Sequence, residues 1–178
     1  IKGVAVPAPI SITPTVDHLN SNAAERVGIM ATERTIANKT YSDMLEEHVI
    51  SNFPCKNLAA IIEDNAHKNR LVPDEFLAEI LPESELRGLD KLVLACTHYP
   101  HAMEQIKEWV HEHASQCDVI DPAEIIVDSV REGDFIGNSE HVVHFRTTGD
   151  VEKFEQVLNE LYGKKWPNAK VDVEPVEL

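Results

Sequence analysis

Leu92-Val93-Leu94-Ala95-Cys96-Thr97-His98-Tyr99-Pro100 decides how this 178-residue chain is read. Four apolar residues, 92–95, follow the charged Lys91. They are too few for a helix and suit a strand buried on both faces of a parallel sheet. Beyond Pro100, Met103, Ile106, Trp109 and Val110 recur at spacings of three and four, which predicts an amphipathic helix over 101–114. Cys96, Thr97 and His98 therefore fall between the carboxyl end of a strand and the amino end of a helix, where open α/β sheets bind ligands. Free backbone N–H groups and the positive end of the helix dipole favour a carboxylate ligand there. They also ease the loss of a thiol proton.

The same alternation extends in both directions. Upstream, residues 4–6 read as a strand running into a loop with Pro7, Pro9 and Pro14, and 15–24 as a helix. Residues 26–31 read as a buried strand, Thr32-Glu33-Arg34-Thr35 as the turn after it, and 35–48 as a helix with Ile36, Tyr41, Met44, Leu45 and Val49 on or near one face. The apolar run 58–62 reads as a third strand whose polar tip is Glu63-Asp64-Asn65. Pro73 opens a helix through Ile80. Downstream, 118–121 read as a short strand, 122–131 as a helix, 142–146 as a strand, and 171–173 as a last strand. Between the last two, Asp150 caps a helix through Tyr162 that Gly163 ends. Strands and helices alternating in this way predict an α/β, doubly wound parallel architecture. Val119-Ile120-Asp121-Pro122-Ala123 also echoes Val4-Ala5-Val6-Pro7-Ala8.

Composition narrows the function. Sixteen Lys and Arg against 31 Asp and Glu give a formal charge of −15, which argues against nucleic acid or an anionic membrane as partner. An anionic substrate would need locally placed donors. No apolar run approaches the ~20 residues of a membrane span. Three cysteines do not suggest a disulfide framework, so a reducing, cytoplasmic setting is the expectation. Cys96, His98, His101, His111 and His113 lack paired Cys-x-x-Cys or His-Glu-x-x-His spacing, so no metal is expected.

On these residues the chain resembles the glutamate racemases of the cofactor-independent aspartate/glutamate racemase superfamily. Cys96-Thr97-His98-Tyr99-Pro100 is similar to the family's second catalytic-cysteine motif, and His98 favours the glutamate branch, since aspartate racemases typically carry glutamate there. Val27-Gly28-Ile29-Met30-Ala31-Thr32, followed by Thr35 and Ile36, resembles the strand opening the family's second lobe. Ala60-Ile61-Ile62-Glu63 resembles a segment bearing a carboxylate near the site, although Phe53-Pro54-Cys55 departs from the usual Cys-Pro order. Val119-Ile120-Asp121 and Phe145-Arg146-Thr147-Thr148-Gly149-Asp150 resemble the closing segments. Family members begin with an Asp-Ser-Gly strand, a Pro-Tyr-Gly loop and a Cys-Asn-Thr motif, none of which occurs in this sequence. The resemblance thus implies two pseudo-symmetric lobes, the first incomplete here. Residues 1–20 would be the tail of the first lobe, 21–117 the second lobe, and 118–178 the returning segment of the first.

Inverting an α-carbon without a cofactor requires removing a weakly acidic proton from one face and returning one to the other, so two bases must oppose each other. The resemblance implies Cys96 as one base and His98 as its assistant. It implies Thr97, Thr32, Thr35 and Glu63 as substrate-binding residues, glutamate as substrate, no cofactor, and D-glutamate supply for peptidoglycan. Structural alternatives stand beside these roles. Cys96 suits a buried strand, His98 a packed or capping histidine, Thr32 and Thr35 helix caps, and Glu63 a solvated loop. Cys55, placed before the expected 58–62 strand, and Cys117, at a helix end where the dipole disfavours a thiolate, are expected to be structural. Without the Cys-Asn-Thr base, the chain alone is expected not to racemise. Apolar surface left uncovered around 142–145 and 4–6 leads us to expect self-association, a homodimer in its simplest form. Two rivals remain: a binding or regulatory protein on the racemase scaffold, and an aspartate racemase-like enzyme.

Overall fold

The computed structural model describes residues 12–23, 25–45, 47–68, 70–129, 142–162 and 170–176. The expected strand at 4–6, most of its proline loop and the Gly163 stop lie outside them. The chain runs α1 (Thr13–Asn20), β1 (Arg26–Ala31), α2 (Glu33–Ala37), β2 (Val49–Pro54), α3 (Leu58–Asp64), α4 (Asp74–Ile80), α5 (Glu83–Leu86) and β3 (Lys91–Leu94). A 3-10 turn (Tyr99–Ala102), α6 (Met103–His113), β4 (Asp118–Ile120) and α7 (Pro122–Ser129) follow. The chain then continues through β5 (Val142–Thr147), α8 (Val151–Tyr162) and β6 (Lys170–Pro175).

Four strands form one parallel sheet in the order β2-β1-β3-β4. The central strands are buried on both faces because alternate side chains feed two separate cores. Met30, Leu92 and Leu94 pack with α3, α4, α5 and α6 through Leu58, Ile62, Leu77, Leu86 and Ile106. Val27, Ile29, Ala31 and Val93 pack on the other side with Val16 and Leu19 of α1 and with Tyr41 and Leu45. This is the doubly wound arrangement expected of short apolar strands. Asp90 pins the strand starts together, its carboxylate accepting from the Arg26 N–H at 2.7 Å while its own N–H returns to the Arg26 carbonyl at 2.9 Å. On the α3–α6 side of the sheet, Gln105 of α6 accepts from the Leu71 and Val72 N–H groups at 2.6 and 3.2 Å and donates to the Val72 carbonyl at 2.9 Å. The loop before α4 is thereby tied to the helix that follows Cys96.

Three expectations are corrected. Residues 58–62 form the body of α3, not a strand. Leu58 and Ile62, four apart, are the buried pair while Ala60 is exposed, which is helical spacing. The missing strand is β2, whose Val49, Asn52 and Pro54 are exposed at the sheet edge. The helix expected over 35–48 stops at Ala37, after which Lys39 takes a left-handed φ of 53° and the chain turns toward β2. The first helix starts earlier than expected, with Pro14 in its first turn rather than in a loop.

Strand β4 hydrogen-bonds to β3, so the Cys96 sheet runs one strand beyond residue 117. Strands β5 and β6 form a separate two-stranded parallel sheet. Among the described residues, no helix is long and apolar enough to cross a membrane.

Candidate active site

Sheet order locates the site. The chain leaves β1 for β2 on one side, then returns to place β3 on the other, so the loops after β1 and β3 diverge at a topological switch point. Thr32 to Thr35 leave one strand there and Cys96 to His98 the other. A cleft of about 580 Å³ opens between them, lined by Thr35, Tyr41, Cys96, Thr97, His101 and Asp121 among others. A second cleft of about 550 Å³ shares Thr97 and His101 with it and adds Glu63, His98 and, from the β5–α8 unit, Phe145, Lys153 and Phe154.

Cys96 is half-buried. Burial, the largest influence, pushes its thiol up. The imidazole and the backbone N–H of His98, together with the Tyr99 hydroxyl, pull it down further, and the net result lies below the ordinary thiol value of 9.0. His98 moves the other way. Its hydrogen bond to Cys96, followed by that to Glu63, raises it above 6.5 against the opposing effect of burial. Glu63 Oε1 meets His98 Nε2 at 2.8 Å. Carboxylate, imidazole and thiol are thus joined in one hydrogen-bonded relay, in which an imidazolium would be stabilised from both sides.

The six residues singled out by sequence do not all meet in one place. Cys96, Thr97 and Thr35 line the first cleft; Glu63, His98 and Thr97 line the second. Thr32 lines neither. Its hydroxyl caps α2, accepting from the Thr35 N–H at 3.3 Å and lying 3.0 Å from the Thr35 hydroxyl, so it steadies Thr35. Glu63 sits in the last turn of α3 rather than at a strand tip.

Cys55 lies directly after β2, not before a strand. It is 2% exposed, its thiol donates to the Phe53 carbonyl at 3.3 Å, and burial pushes it up to about 12. Burial, with Asp118 and Asp90 nearby, pushes Cys117 to about 12 as well. Two residues at the site carried no assigned role in the sequence reading. Asp121 follows β4 and lines the Cys96 cleft while accepting from the Ala123 N–H at 2.8 Å. Tyr99 is buried beneath the thiol. The position of Asp121 just after a strand was the available signal.

These contrasts predict a selective reaction. As pH rises, the thiolate forms first at Cys96, at a midpoint below 9.0, while Cys55 and Cys117, both near 12, stay protonated. Iodoacetamide at pH 8, followed by peptide mapping, should label Cys96 alone. His98→Asn removes the cationic partner and should move the Cys96 alkylation midpoint back up toward 9.0. A midpoint unmoved by this substitution would contradict the relay.

Residues 4–130 match the profile of the family described as Asp/Glu/Hydantoin racemase. The chain belongs to this racemase family. It is 26% identical over 162 residues to a glutamate racemase of Thermoanaerobacter, covering 84% of this chain and 59% of that protein. With the glutamate racemase of Enterococcus faecalis it shares 25% identity over 152 residues, covering 78% of this chain and 53% of the other. Glutamate racemase from Francisella tularensis, solved in complex with D-glutamate, superposes with a TM-score of 0.69 at 22% identity, over 94% of this chain and 62% of that one. The Aquifex pyrophilus glutamate racemase gives 0.60 at 20% identity, over 93% and 62%. The chain thus spans less than two thirds of the racemases it matches. The structural matches bear out the α/β parallel-sheet architecture, and the family match bears out the resemblance carried by the Cys96 motif.

Proposed function

We propose that Cys96 is one of two opposed acid/base groups in a cofactor-independent racemisation of glutamate, with His98 as proton partner and Glu63 holding His98. The observation that carries this reading is the Glu63–His98–Cys96 relay beside the switch-point cleft of a chain in the racemase family. Thr35 and Thr97 supply hydroxyl donors on that cleft. They suit the carboxylates of an amino acid in a protein whose net charge is strongly negative.

The thiolate removes the α-proton: the C–H bond breaks, an S–H bond forms, and the electron pair remains on the substrate carbon. Return of a proton from the opposite face would complete inversion. Cys55 and Cys117 are both held near 12, and neither lines the Cys96 cleft, so neither suits the opposing role. The 178-residue chain should therefore exchange the α-proton without inverting the centre. The separate β5–β6 sheet supports assigning the chain from about residue 142 onward to a lobe other than that of Cys96. In this reading the parent activity supplies D-glutamate for peptidoglycan.

Incubating the chain in D₂O with glutamate and, in parallel, aspartate, and following the α-proton signal by NMR, tests the substrate. Loss of the glutamate signal at a rate well above that of aspartate is expected. Faster exchange of aspartate would move the reading to an aspartate racemase-like enzyme. Binding of glutamate with no exchange of either would support a non-catalytic scaffold.

A further inference from the structure

Tyr99 follows Cys96 by three residues, yet proton transfer among Cys96, His98 and Glu63 does not require it. Its ring is 0% exposed. Its N–H returns to the Cys96 carbonyl at 3.2 Å, a tight turn that folds the phenol back into the core on the thiol's inner side. A buried tyrosine hydroxyl needs a partner. The Cys55 carbonyl is one, at 3.5 Å, the far limit of a hydrogen bond. The Cys96 and Cys55 sulfurs are the others. A phenol carries one proton, so it donates to only one of them at a time.

We propose that Tyr99 is a positioning residue whose hydroxyl donates to the Cys96 sulfur when that sulfur is a thiolate and to the Cys55 carbonyl when Cys96 is protonated. This rests on the reading of Cys96 as a base. In the protonated state the Cys96 S–H points toward His98, and the Tyr99 O–H serves the Cys55 carbonyl. When the S–H bond breaks, the proton passes to the His98 ring nitrogen that Glu63 does not hold, and the Tyr99 O–H turns to the sulfur. Tyr99 keeps its own proton throughout, since burial holds the phenol far above its ordinary range. The sulfur is then gripped by His98 on one side and by Tyr99 from the core, and its remaining lone pair is left to the cleft.

Other titratable groups surround the sulfur or line its cleft. His98 shares its turn, Glu63 acts from α3 through His98, and Cys55 after β2 stays protonated. His101 and Asp121 line the same cleft.

Tyr99→Phe keeps the ring and removes only the O–H. The readout is the pH dependence of iodoacetamide alkylation, mapped separately at Cys96 and Cys55. Below its midpoint, the Cys96 thiolate fraction should fall about tenfold, the change expected for a lost hydrogen bond to a charged group, while Cys55 remains unreactive. An unchanged Cys96 midpoint would overturn the proposal. So would a shifted midpoint accompanied by newly reactive Cys55, which would mean that Tyr99 serves core packing alone. The titration needs no substrate, so its failure is distinct from a failure of glutamate exchange, which tests Cys96 as a base.

Discussion

Cys96→Ala should reduce α-proton exchange of glutamate by at least about 100-fold and by as much as about 10,000-fold, the range typical of a positioned general base. The physical reason is local. Among the described residues Cys96 is the cysteine on the switch-point cleft, and the others are protonated up to about 12. Cys96→Ser is the sharper variant. It preserves the shape of the site and the hydrogen bond to His98, but an alkoxide is far harder to form than a thiolate, so exchange should fall nearly as far as in the alanine variant. The fold should suffer little in either case, because Cys96 is half-buried at a strand end and packs only at the margin of the core. Exchange by Cys96→Ala within a few-fold of the parent chain would remove Cys96 from the chemistry.

The second large effect is structural. Gly28 lies in β1 between β2 and β3, and a Cβ there would stand 2.8 Å from Leu89 Cδ1 and 2.9 Å from both Leu92 Cδ1 and Phe53 Cε2. Those atoms belong to three different segments of a packed core, so relief at one tightens another. Overpacking costs about 1–3 kcal/mol in typical cores, and Gly28→Val, with two methyls beyond the Cβ, should reach about 3 kcal/mol or more. With a urea slope of about 1–3 kcal/mol/M, the denaturation midpoint should fall by roughly 1 M or more. Gly149→Ala, where the added Cβ meets only Thr147 Oγ1 at 3.4 Å, is the control and should stay within about 0.5 kcal/mol of the parent. Equal midpoints for all three proteins would show that β1 and β3 do not pack as described. Glycine at this position lets Leu92 close on β1, and Leu92 lies in the strand that presents Cys96.

The residues legible in the sequence are those whose pattern had one physical solution. Leu92 to Leu94, apolar without alternation, could only be buried on two faces, and Val93 and Leu94 do enter opposite cores. The helix after Cys96 followed from Met103, Ile106 and Val110 at helical spacing. What stayed hidden had two solutions or depended on distant partners. Residues 58–62 form an apolar run too short for periodicity to separate helix from strand. Strand β2 lacked an apolar pattern because it lies at the sheet edge, where Ser51, Asn52 and Pro54 are tolerated. The pairing of Glu63 with His98 spans 35 positions, and no local pattern encodes it. Thr32 reads as ligand or as cap in sequence, and its geometry is that of a cap.

In the proposed function this chain carries one base, Cys96, acting on one face of glutamate. Incubating enantiopure L-glutamate and enantiopure D-glutamate separately with the chain in D₂O, and measuring both deuterium incorporation and optical configuration, tests it most directly. Deuterium incorporation in one enantiomer only, with its configuration retained, is the expected result. Inversion of either enantiomer would show a second base within these 178 residues, and no incorporation into either would show that Cys96 does not act on the α-carbon.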